Sequence, residues 1–325
     1  MLKILDIQPE SYVRHKIHLQ ERDWAETNCY VDVWIELLHA LKLDPMPAMA
    51  FSLTPDFEGD QWTFFKFQLN DLYDLYGLEV QELVIWKSLL ENLAEQVAMG
   101  RPVLVELDSM FLPDTAGTAY HEAHVKSTVA INLLDIENKR LGYFHAQGYY
   151  ELSGNDFDEV FALPEANTKM VLAPYVEFVK THQMVKRSDD ELRSIARKKV
   201  TRQLKQLPDT NPFKKFQQRF EKDFTWLLEQ PTEKFHEYAF VTFRQFGACF
   251  EVAANFIEWL EGKTEHSSKL IELYKHLSNI TKVYQFQLAR ALARKKMVDL
   301  KVFDELAATW EEARSLLIES FSQSN

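Results

Sequence analysis

The sequence predicts an α+β domain with an antiparallel sheet over residues 1–165, followed by an all-helical bundle over residues 166–325. Three observations carry this. Residues 1–163 mix helix-period and strand-like apolar patterns, and after Pro164 nearly everything is helix-forming and amphipathic. Charge changes at the same place: residues 1–164 hold 11 Lys and Arg against 27 Asp and Glu, and the remainder holds 26 against 22. A hydrophobic content of 46%, with 13% aromatic residues, is enough for a large buried core.

The elements follow in chain order. Thr27 and Asn28 are helix N-cap types, and Val33, Leu37, Leu38 and Leu41 follow at helical spacing, so a helix is expected to start at Cys29. Residues 80–100 carry a second helical period. Residues 102–107, 125–135 and 141–146 are apolar runs of strand type, and 170–179 is one more. The bundle is broken at LPDTNP, EQPTE and EGKTEHSS. Within it, residues 243–262 place Phe246, Phe250, Ala253, Ala254, Ile257 and Leu260 on one apolar face. Gly247, Ala248 and Cys249 form a small-residue patch there that admits a close neighbour.

Composition excludes several classes. Two cysteines are too few for a disulfide framework, and Met1-Leu2-Lys3 leads into no signal-like stretch, which predicts a cytoplasmic, reduced protein. No apolar run approaches the roughly 20 residues that span a bilayer, so no membrane is expected. The acidic first half argues against nucleic acid, which needs a cationic surface. Nine glycines without a GxGxxG or P-loop pattern argue against a nucleotide enzyme. His121 and His124 are three apart with no further ligand cluster, so no metal is expected.

The cysteine at a helix start is where chemistry is expected. Unpaired N–H groups and the positive end of the macrodipole there stabilise a thiolate. The alternative is a buried cysteine acting as a small hydrophobe, the reading given to Cys249, which sits mid-helix among apolar neighbours. A nucleophile needs a base. His182, His236, His266 and His276 lie in polar or helical stretches, whereas a loop delivers His124 to a strand start and His145 ends the next strand.

The order of a helix-start cysteine, the stretch GRPVLVELDSMFLP, a histidine-led strand and then YYELSGNDFDEVF resembles the papain-like fold of bacteriocin-processing peptidases. It is more similar to the N-terminal domain of butirosin biosynthesis protein H, an acyltransferase, whose family carries an aspartate-aromatic-Leu-Pro stretch matched here by Asp108, Phe111, Leu112 and Pro113. The chain is identified as a member of the related domain-of-unknown-function family 1839. The resemblance implies transfer of an aminoacyl or other acyl group from the phosphopantetheine arm of a carrier protein to an amine, or hydrolysis of that thioester, with no cofactor bound to the chain itself. It implies Cys29 as nucleophile and His124 as base. At the third position the family has aspartate followed by proline; here stand His145 and Ala146, with Asp108 or Gln147 as groups that share the role. Asn28 and Gln20 are the candidates for an oxyanion donor. Arg244 is placed as a partner for a substrate carboxylate. The helix over residues 189–206 is expected to turn Arg193, Arg197, Lys198, Lys199 and Arg202 largely outward, as a dock for an acidic carrier or as a solvated face. The competing readings are a papain-like peptidase and an inactive scaffold that only binds the carrier.

Overall fold

The computed structural model describes residues 1–24, 27–170 and 172–322. The chain forms two compact units. Unit 1 holds Met1–Glu21, Asn28–Pro45 and Leu69–Arg187; unit 2 holds Arg22–Thr27, Met46–Gln68 and Ser188–Asn325.

Unit 1 contains β1 (Leu2–Lys3), α1 (Lys16–Leu19), α2 (Cys29–Ala40), α3 (Leu69–Tyr76), β2 (Glu79–Glu82), α4 (Leu89–Ala98), β3 (Val103–Asp108), β4 (Lys126–Asp135), β5 (Arg140–His145), β6 (Gly148–Ser153), α5 (Asn155–Val160) and β7 (Val176–Lys180). The strands form one sheet in the order β2-β7-β3-β4-β5-β6, with β1 pairing with β4, and every pairing is antiparallel. This is the α+β unit that the sequence predicts. One expectation is corrected: residues 80–100 are not a single helix. Val80 pairs with Val179 across β2 and β7, and the helix starts only after Ser88, whose hydroxyl and Glu91 form a capping box. Pairing with a strand almost 100 residues away overrides the local helical period, and the cap fixes where α4 begins.

Register assigns side chains to the two sheet faces. Val103, Val105 and Leu107 oppose Ile131, Val129 and Ser127, while Val129 and Ile131 oppose His145 and Tyr143. These residues share a face, where Leu89, Leu93 and Val97 of α4 join the apolar core. Leu104, Glu106 and Asp108 oppose Ala130, Thr128 and Lys126 on the other face. There α2 packs, contacting β4, β5 and β6. Ten of the twelve α2 residues are buried, including two carboxylates, Asp32 and Glu36.

Unit 2 contains α6 (Asp189–Leu204), α7 (Pro212–Leu227), α8 (Thr232–Ala239), α9 (Gln245–Glu261), α10 (Glu265–Ala293) and α11 (Lys301–Ser322). The expected breaks fall between helices, and Gly262 ends α9 at φ 65, a left-handed position that favours glycine. Phe213, Phe216, Phe220 and Phe224 line one face of α7 at helical spacing and meet Phe243, Phe246 and Phe303. The small-residue patch of α9 has its close neighbour: a Cβ on Gly247 would lie 2.3 Å from Trp24 Cζ2. Cys249 is buried, its thiol 3.4 Å from the Ser52 carbonyl, and burial pushes that thiol well up. Among the described residues, no helix is long and apolar enough to cross a membrane.

Candidate active site

The helix start at Cys29 is built locally. Asn28 is extended and its side-chain oxygen accepts from the Val31 N–H at 2.9 Å, so the first turn opens at Cys29 with one of its orphan donors satisfied. Cys29 is half-buried, and its Sγ lies 3.6 Å from Thr128 Oγ1, which places the thiol against the second pleat of β4. Asn28 is buried and serves as the cap. Gln20 is exposed at the end of α1, its N–H on the Lys16 carbonyl.

His124 stands two residues before β4. The Ser109 N–H bonds the Val125 carbonyl, so the ladder continues past Lys126 and His124 falls on the same face as Thr128 and α2. Its Nδ1 lies 2.6 Å from Asp108 Oδ2, and its side chain is 69% exposed. The carboxylate fixes the ring and leaves Nε2 as the basic nitrogen. His124 and Thr128 stand four positions apart, about 13 Å along the direction of β4, so the structure does not set His124 beside the residue that the Cys29 thiol touches. Between them Lys126 pairs with Glu106 at 2.6 Å.

His145 is brought to different partners. It opposes Val129, so it lies on the α4 face, with Nε2 2.6 Å from Ser127 Oγ and Nδ1 2.5 Å from Asp114 Oδ2. The structure thus brings His124 to Asp108 and not to His145. A shift of one residue along a strand moves a side chain to the opposite face. Gln147 accepts from Arg14 Nη1 at 3.0 Å. His121 stacks on Tyr120 and faces Asp156.

Sequence reasoning missed one buried network on α2. Asp32 and Glu36 follow Cys29 at i+3 and i+7, on its side of the helix. His18 sits between them, its Nε2 3.2 Å from Asp32 Oδ1 and its Nδ1 on Glu36 Oε1, all three side chains at most 1% exposed. Glu36 also accepts from the Tyr12 hydroxyl at 2.5 Å and the His15 N–H at 3.0 Å. Burial alone pushes the His18 imidazole down, but hydrogen bonds and charge from Asp32 and Glu36 outweigh it and raise it. The available signal was two carboxylates four apart inside an otherwise apolar run, since buried carboxylates need partners.

The remaining expected site residues belong to unit 2. Arg244 lies in a π turn, Phe240–Arg244, with its guanidinium 5.1 Å from the Phe240 ring. On α6, Lys199 is buried, which corrects the expectation that it points outward; Lys198 is exposed. Arg197 bonds both carboxylate oxygens of Glu261, Arg193 lies over Trp259, and Arg202 is half-buried.

Comparison with family models decides the chain's kinship. The DUF1839 N-terminal domain matches residues 13–181, and the DUF1839 C-terminal domain matches residues 189–319. The chain belongs to the DUF1839 family. The N-terminal match of this DUF1839 protein takes in α1, α2 and the sheet except β1, and the C-terminal match takes in all six helices of unit 2. No protein of curated function matches the chain.

Proposed function

We propose that unit 1 is a papain-like, cysteine-dependent acyl-transfer domain. One observation carries the reading: Cys29 opens a buried helix against the sheet face that also presents a carboxylate-oriented imidazole, Asp108–His124. In this reaction the Cys29 thiolate attacks a thioester carbonyl, the donor thiol leaves, and an amine or water then releases the acyl group. His124, held by Asp108 and standing four positions along the strand from the Thr128 that Cys29 touches, would take the proton of the incoming amine or water rather than that of the thiol. The first-turn N–H groups of α2 favour the developing oxyanion. The donor class is an aminoacyl or acyl group on the phosphopantetheine arm of a carrier protein in a reducing compartment, and the acceptor is a small amine; a peptidase would use the same residues.

A second reading rests on Thr128. The hydroxyl nearest Cys29 is no base, which favours a domain that binds an acyl carrier without turning it over.

Alkylation separates the two. The acyl-transfer reading expects iodoacetamide to modify Cys29 at least ~10-fold faster than a simple thiol such as glutathione, and His124→Ala and Asp108→Asn to slow release of the acyl group to the amine while the unfolding midpoint holds. A Cys29 rate equal to that of the simple thiol would favour the binding-only domain.

A further inference from the structure

The face of the sheet opposite Cys29 holds a second constellation. We propose that Ser127, His145 and Asp114 form a serine-nucleophile relay that hydrolyses short acyl esters, an activity independent of Cys29.

The chain of contacts runs in the order such a relay needs. Asp114 Oδ2 lies 2.5 Å from His145 Nδ1, and His145 Nε2 lies 2.6 Å from Ser127 Oγ. Tyr143 donates its hydroxyl to Asp114 Oδ1 at 2.6 Å, so the carboxylate is held at both oxygens. A carboxylate only accepts, so Nδ1 carries the ring proton and Nε2 accepts from the serine hydroxyl. This is the tautomer in which histidine acts as base toward serine.

The fold fixes each member. Val129 opposes His145, and Ser127 is two residues from Val129, so β4 and β5 set the serine and imidazole on one face. Asp114 comes from the short turn Pro113–Thr115, pinned where the Thr115 hydroxyl donates to the Ser109 and Leu112 carbonyls at 3.0 and 2.9 Å. Around them the face is apolar: Leu107 opposes Ser127, and Leu112 and Val129 belong to the same core. Four polar side chains in such a setting cost desolvation that apolar residues would avoid. Ser127 and His145 are buried, and the side chains of His145 and Asp114 are 8% and 4% exposed, so only a small acyl group is proposed as substrate.

The step balances without a further reactant. Ser127 Oγ bonds to the acyl carbon as Nε2 takes its proton; the ester C–O bond breaks and the departing alcohol takes that proton. Water then attacks the acyl-serine, gives a proton to Nε2, and Ser127 leaves with it.

The test uses the whole chain and diisopropyl fluorophosphate, followed by intact-mass measurement and peptide mapping. The relay expects one adduct, on Ser127, unchanged when Cys29 has first been blocked with iodoacetamide. It expects His145→Gln to slow labelling by ~100-fold or more, with p-nitrophenyl acetate hydrolysis falling in step. The parent protein alone decides the matter should a variant not fold: no adduct on Ser127 of the folded parent overturns the proposal. So does labelling that Cys29 blocking removes, or that His145→Gln leaves at the parental rate.

Discussion

Replacing Glu36 by alanine removes the acceptor at the centre of the buried network on α2. Three donors then lose the Glu36 carboxylate at once: the His18 ring, which keeps Asp32, the Tyr12 hydroxyl, which keeps the Glu36 carbonyl, and the His15 N–H. Breaking a buried ion pair from one side costs about 3–5 kcal/mol when the remaining charge is left uncompensated, and Asp32, which still faces His18, holds the cost to about 3 kcal/mol here. At roughly 2–4 °C per kcal/mol for a unit of this size, the unfolding midpoint of unit 1 should fall by ~6–12 °C. Glu36→Gln, which keeps an acceptor but loses the charge, should fall in between. The pH dependence supplies a second signature. His18 is raised in the folded state, so its contribution is complete below the unfolded value near ~6.5 and is lost as pH rises through the folded value. His15 behaves oppositely: burial first, then the neighbouring His39, His18 and Lys16, push it down to about 3. Its contribution is complete above ~6.5 and is lost as pH falls from there toward 3. Glu36→Ala should therefore shrink the alkaline decline to the part that Asp32 sustains and leave the acid one. Thermal denaturation followed by near-ultraviolet circular dichroism from pH 5 to 9 measures both effects. A midpoint shift under ~4 °C, or an alkaline decline as large as the parent's, would refute a charged His18 as the pin of this network.

Two further outcomes are expected. Gly247→Ala should lower the stability of unit 2 by ~1–3 kcal/mol, since the new Cβ would stand 2.3 Å from the Trp24 ring and force it aside; an unchanged midpoint in urea denaturation would show that the two do not approach so closely. Glu159 is pulled down to about 2, first by the Asn167 N–H and then by the Thr168 hydroxyl and N–H, so it stabilises unit 1 above the unfolded value near ~4.3 and ceases to as pH falls from there to 2. Glu159→Gln should lose that part of the acid transition, and an acid titration by circular dichroism identical to the parent's would count against it.

What could be read in the sequence was what is local. The helix start at Cys29 depends on an adjacent cap and an apolar period within a dozen residues, and β3, β4 and β5 each announce themselves as apolar runs. Residues 80–87 did not, because β2 exists through its pairing with β7. The pairing of His124 with Asp108 was within reach, since the aspartate-aromatic-Leu-Pro stretch had drawn attention to Asp108. The separation of His145 from His124 was not, because it depends on the register that sets His145 opposite Val129. Asp114 was passed over although it directly follows that stretch; nothing in the chain order indicates that its turn folds onto β5. Lys199 is a different case. It stands seven residues after Leu192, and the buried face of α6 runs Leu192, Ala196, Lys199, Val200, Gln203. Helical spacing alone places it inward.

Acyl transfer at Cys29 passes through a covalent acyl-cysteine. Its most direct measurement is the intact mass of the whole chain after incubation with a short acyl-pantetheine thioester, with and without an amine acceptor. A single acyl addition is expected that maps to Cys29, is absent in Cys29→Ala, and is discharged when the amine is added. An unmodified mass at saturating thioester, or an acyl group carried equally by Cys29→Ala, would contradict it.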